Sequence, residues 1–307
     1  MKKIVAALIA LTLIFGLSAC NGKQANNSEV KETSTSEEKI KVIVSFNPIK
    51  EFVLEIGGNK VDVETIIPEG SEPHDFEPKV RDIAALTEAD IFIYNGLGME
   101  SWVDKVLNSI DKKTLTIVEA SKGCEAIKIS DPEEIKEHGE YDPHIWLSLK
   151  EAQKESKNIK DALIMVDFKN KDYYEKNYEN FIKELNSLYD EYKKKFDTVS
   201  NRCFVTGHAA FGYLCRDFNL NQNSVEDVFA EGEPSGKKMK ELVDFCKANN
   251  VKTVFLEEMA SPKVSETLAN EIGAKVEKIY TIASKEDNKN YIQSMRENLE
   301  KIYNSLK

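Results

Sequence analysis

Apolar side chains recur at Tyr174, Tyr178, Phe181, Leu185, Leu188, Tyr192 and Phe196, in steps of three and four. That spacing lays one apolar stripe along a helix over 171–195. Unbroken, such a helix is about 39 Å long at roughly 1.5 Å per residue, more than one small domain requires. To either side the period changes: short runs rich in Val, Ile and Phe alternate with helical segments, the pattern of a parallel sheet covered on both faces. Before the long helix, strands are predicted over 40–46, 61–67, 90–94 and 114–118, and helices over 48–56, 80–89, 99–110 and 148–166. After it come strands over 203–206, 251–256 and 275–279, with helices over 210–218, 236–248, 262–272 and 285–305. The long helix therefore reads as a spine, over 170–197, between an N-terminal α/β lobe at 40–169 and a C-terminal α/β lobe at 198–307. A helix packed on its own domain, or a short coiled coil, is the plainer alternative.

Two stretches break the alternation. Residues 119–143 carry eight acidic side chains against three lysines and read as a surface excursion. At the start of the chain, Lys2 and Lys3 precede an apolar run over 4–17, short for a membrane span and suited to a secretory signal. The run ends in Leu17, Ser18, Ala19 and Cys20, which resembles the lipobox of bacterial lipoproteins. That resemblance implies a signal peptide at 1–19, removed to leave a lipid on Cys20. Residues 21–39 hold Val30 as their only large aliphatic, so 20–39 is expected to be a lipidated cysteine and flexible tether. The folded body would then work just outside the membrane, on the cell surface or periplasmic side.

A chain of 307 residues is long enough for two domains of ordinary size. Loss of Lys2 and Lys3 leaves 40 basic against 53 acidic residues and takes the formal charge from -11 to -13. This argues against nucleic acid as partner and is compatible with a cation as ligand. Cysteines stand at 20, 124, 203, 215 and 246 without a CxxC motif. With Cys20 lipidated the other four can pair or remain buried thiols, and their scatter speaks against a soft metal site built from them.

Three of the four histidines sit in breaks between elements: His74 in PEGSEPHDFEP, His144 in YDPHIW and His208 in VTGHAAF. Loops leaving the carboxyl ends of parallel strands converge on one edge of a lobe. Three imidazoles brought there suit zinc, which takes neutral nitrogen ligands in a tetrahedral shell. Asp75 and Asp142 are placed to orient the rings through their second nitrogens, although Asp142 equally suits a cap for the segment beginning at Pro143. Each histidine alone is as compatible with an ordinary turn.

The blocks GSEPHDFEP, DPHIWL, GHAAFGYL, GEPSGKKMKEL and FLEEMASPKVSETLANEIGAKV, in this order behind a lipobox, resemble the solute-binding lipoproteins of zinc and manganese ABC importers, the group with a rigid connecting helix. The resemblance covers nearly all of 41–307. It implies two lobes with four-stranded, mainly parallel sheets, a metal held between them and delivery to an ABC permease, by a protein expected to be a monomer. It also implies His74, His144 and His208 as ligands, and histidine at the third position is similar to the zinc-preferring branch, with manganese as the alternative cargo. The chain departs from the pattern where many members carry an aspartate, since Tyr280 stands there with an ordinary pKa of about 10. The fourth position then falls to water, Glu72, Glu257 or an unusual role for Tyr280. A second departure is the loop before His144, which in zinc-specific relatives is histidine-rich and here holds His138 alone, read as an exposed loop residue.

Two other functions fit parts of this pattern. Three histidines and a water also describe a catalytic zinc site, with Glu72 or Glu257 as base, but no HExxH motif is present and no enzyme is expected. Some relatives in the family are adhesins, yet no adhesive repeat or exposed aromatic array accompanies the lipobox. Trp146, two residues from His144, is expected to report metal binding by its emission.

Overall fold

The computed structural model describes residues 38–230, 234–258 and 262–307. The expected signal peptide, Cys20 and nearly all of the expected tether lie outside the described residues. Strand β1 (Ile40–Val44) leads into α1 (Asn47–Gly57), β2 (Val61–Thr65), α2 (Val80–Leu86), β3 (Ile91–Tyr94), α3 (Val103–Ser109) and β4 (Thr116–Glu119). The acidic excursion then carries a short helix, α4 (Pro132–His138), which the sequence pattern does not reveal. Asp131 caps it by accepting from the Glu133 amide, and Pro132 occupies its first turn, where a missing N–H costs nothing. Helix α5 (Leu149–Val166) is capped by Ser148, and a single 3-10 turn over Phe168–Asn170 separates it from α6 (Lys171–Phe196).

The second lobe follows as β5 (Cys203–Thr206), α7 (Gly212–Phe218), β6 (Asn221–Ser224), α8 (Gly236–Ala248), β7 (Thr253–Leu256), α9 (Pro262–Ile272), β8 (Lys275–Lys278) and α10 (Tyr291–Ser305). The predicted start of the last helix is six residues early, because Asn290 forms a reciprocal capping box with Gln293 and sets the boundary. The two sheets have orders β2-β1-β3-β4 and β6-β5-β7-β8, all parallel. The same order in both lobes means that each reverses direction between its two central strands, β1 and β3 in one, β5 and β7 in the other. Those reversals open a crevice at the carboxyl ends of the strands.

Helix α6 joins the halves as the periodicity predicts. Tyr174, Phe181, Leu185, Leu188, Tyr192 and Phe196 are all buried along one stripe. The helix packs on α1 and α5 near one end and on α7 and α10 near the other. One hydrophobic core runs through it from Val42 and Phe52 in the first sheet's layers to Phe204, Phe218 and Leu299 beyond. Smaller cores lie behind each sheet, around Phe92 and Trp102 and around Val254 and Leu268. Cys124, Cys203, Cys215 and Cys246 are all free thiols. Among the described residues no helix is long and apolar enough to cross a membrane.

Candidate metal centre

His208 lies two residues beyond the end of β5. Its carbonyl accepts from Thr206 Oγ1 at 2.7 Å and from Gln222 Nε2 at 2.9 Å. Glu257, just past β7, accepts from the amide nitrogens of Gly207 at 2.9 Å and His208 at 3.3 Å, and lies 3.6 Å from His208 Nδ1. The imidazole thus stands at the switch point between the two central strands, held by a carboxylate from the second of them. Burial pushes the Glu257 carboxyl up to about 8, with three backbone N–H groups opposing the shift.

His144 is fixed from the other lobe. Asp142 Oδ1 accepts from both its backbone nitrogen and its ring Nδ1, each at 2.9 Å, so this aspartate both caps the turn and orients the ring. Asn95, at the end of β3, donates to the carbonyl of Pro143, and Tyr213 of the second lobe donates to that of Asp142. His74 sits on the long connection after β2. Its amide donates to Glu72 Oε1 at 3.3 Å, and the preceding loop is tied to the segment after β8 by a 2.8 Å bond from Gly70 N to Ser284 Oγ.

These three supports bring the rings together. His74 Nε2 is 3.3 Å from His144 Nε2, which is 3.4 Å from His208 Nε2. One nitrogen from each ring lies within 4.8 Å of the others. Three nitrogen lone pairs so close repel unless a proton or a cation lies between them. Protonation is disfavoured, because burial and then the neighbouring imidazoles hold His74 well below the usual histidine range and push His208 down to about 3. The rings surround a cavity of about 20 Å³ bordered also by Glu72, Trp146 and Glu257, room for one ion and not for an organic substrate.

The other candidates divide. Glu72 Oε1 lies 3.9 Å from His74 Nε2, beside the nitrogen cluster. Tyr280 turns away: its hydroxyl accepts from Lys289 Nζ at 2.6 Å and has Asp287 Oδ2 at 2.8 Å and Glu297 Oε1 at 3.1 Å as acceptors for its one proton, while Thr281 and Ala283 face the cavity. Asp75 does not orient its neighbour, since His74 Nδ1 is buried without a hydrogen-bond partner among the described residues. His138 is half-buried and not the exposed residue expected, because its ring stacks on Phe229 at 4.0 Å. That approach needs Gly98 beneath it: a Cβ there would stand 2.3 Å from the His138 carbonyl oxygen. Phe229, which also meets His74 edge-on, was not among the residues that sequence patterns single out. One aromatic in VEDVFAEG carries no periodic or motif signal.

Two parallel-sheet lobes joined by a long helix, with a cation-sized nitrogen cluster in the seam, define a two-lobed binding protein for a metal ion. The chain belongs to the family described as zinc-uptake complex component A, periplasmic, which matches residues 42–305. It is 41% identical to a putative metal-binding protein of Treponema pallidum, over 98% of this chain and 95% of that one. It is 38% identical to the high-affinity zinc uptake system protein ZnuA of Bacillus subtilis, over 98% and 97%. Among solved structures, the laminin-binding protein Lmb of Streptococcus agalactiae, described as bifunctional with adhesin and metal transporting activity, superposes with a TM-score of 0.80 at 36% identity, over 88% of this chain and 100% of that one. The protein is therefore an extracytoplasmic solute-binding component of a metal importer, and not an enzyme.

Proposed function

We propose that the protein captures Zn²⁺ as cargo between its lobes, from a lipid anchor on Cys20 outside the cytoplasmic membrane, and delivers it to an ABC permease. The observation that carries this reading is the convergence of three imidazoles on a space for one ion. Nitrogen donors favour zinc over manganese, which prefers carboxylate, carbonyl and water oxygens. His74 and His144 belong to the first lobe and His208 to the second, so the donor set is complete only when the lobes meet. Glu72 supplies the fourth donor, because its oxygen already borders the cluster, whereas Glu257 is held by backbone N–H groups and the Tyr280 hydroxyl faces elsewhere.

A competition titration of the demetallated protein against a calibrated chelator tests this. The expected result is one Zn²⁺ per chain that Mn²⁺ does not displace. His208→Ala should weaken binding beyond the roughly 10–100-fold that loss of a supporting residue costs. Glu72→Gln should weaken it less, and an unchanged affinity there would assign the fourth position to water. Unchanged affinity in His208→Ala would remove the interlobe site altogether.

A further inference from the structure

Phe229 is 3% exposed, yet it belongs to neither lobe's sheet core. It lies on the segment that leaves β6. That segment is tied to the loop carrying His208 by three backbone hydrogen bonds: Val225 N to Thr206 O at 3.1 Å, Glu226 N to Gly207 O at 2.7 Å and Ala209 N to Asp227 O at 3.2 Å. Phe229 and His208 are therefore parts of one rigid piece of the second lobe. The phenyl ring, however, packs on the first lobe. Its ring meets His74 edge to face, with centroids 5.2 Å apart and planes at 81°, and stacks on His138 at 4.0 Å and 22°. The residue after it, Ala230, has a φ of 56°, a conformation that non-glycine residues seldom adopt, and it borders the cavity. Backbone held in such a state marks a place where surrounding contacts dictate the conformation.

We propose that Phe229 is the latch that sets how long the ion stays bound. It is a tooth of the second lobe, seated between two imidazoles of the first, so His208 cannot leave His74 without drawing the phenyl ring out from between His74 and His138. Phe229 donates nothing to the ion, and its removal leaves all the proposed ligands in place. Its two aromatic contacts exist only with the lobes together, so they oppose opening and act on release more than on capture. This inference rests on the zinc-capture reading of the same site.

The test is stopped-flow release of Zn²⁺ from the intact protein into excess chelator, alongside the association rate and the thermal midpoint of the metal-free form. Phe229→Ala should release zinc about tenfold faster, as loss of two aromatic contacts implies, with association unchanged or quicker and the metal-free midpoint unmoved. An unchanged release rate overturns the latch. Should Phe229→Ala fail to fold, His138→Ala decides, because it removes the stacking partner from the first lobe and leaves the His208 loop intact: faster release supports the latch, and wild-type release overturns it. A wild-type protein that binds no zinc would overturn the capture reading first, a result distinct from zinc that binds and leaves at the same rate in every variant.

Discussion

Glu100 shows how a buried acid near the site responds to pH. Its two oxygens accept from the amides of Asn95 at 2.8 Å and Gly96 at 3.0 Å, which favours the ionised form, but complete burial outweighs them and pushes the carboxyl up to about 7. A carboxyl whose folded pKa exceeds its unfolded value contributes stability at pH below about 4.5, and that contribution is lost as pH rises through about 7. Comparison of wild type with Glu100→Gln by urea unfolding should show wild type losing about 3 kcal/mol relative to the variant between pH 5 and 8, at about 1.4 kcal/mol per unit. A pH-independent difference would mean that the carboxylate stays charged throughout. At this scale the sequence reveals much of the site's chemistry and little of its geometry. His74, His144 and His208 stand out because histidine is rare here and each occupies a break between elements. The separate duties of Glu72 and Glu257 depend on which amides each oxygen meets, and spacing along the chain is silent on that.

Among the elements, α6 is the most legible, because Tyr174 to Phe196 repeat an apolar stripe over many turns. Leu185→Ala should cost about 2–5 kcal/mol in urea unfolding by leaving a cavity in that stripe, with zinc affinity unchanged because no residue of α6 borders the site. Strand β6 is the opposite case. Asn221, Gln222, Asn223 and Ser224 have no apolar member, so neither alternation nor β propensity announces a strand. The reason lies in what the strand does. Among the described residues it is an edge strand paired only with β5, and Gln222 is needed for its amide, which accepts from Phe211 N and donates to the His208 carbonyl. Helix α4 was hidden for a related reason, since none of its residues is fully buried and its cap and proline outline it better than hydrophobicity does.

For the whole molecule, the shared core has a thermodynamic consequence. Phe52 of α1, Phe181 of α6 and Tyr291 of α10 touch ring to ring, so the hydrophobic interior does not end at the lobe boundary. Calorimetry of the metal-free protein should therefore show one unfolding transition, and two resolved transitions would mean that the lobes fold independently. With free Zn²⁺ at about a thousand times Kd the transition should shift upward, by about 4 kcal/mol of added stability.

The small size of the cavity also determines which ions compete. Magnesium gives up its water reluctantly and wants an octahedron of oxygens, while calcium wants about six to eight of them. A space of about 20 Å³ walled by three imidazoles admits neither shell intact, and the carboxylates of Glu72 and Glu257 on its border are too few to replace the oxygens that either ion would lose. The abundant divalent ions are thus disfavoured by the cost of undressing. The seam between the lobes is a sieve for hydration shells, and charge alone gives an ion no claim on it.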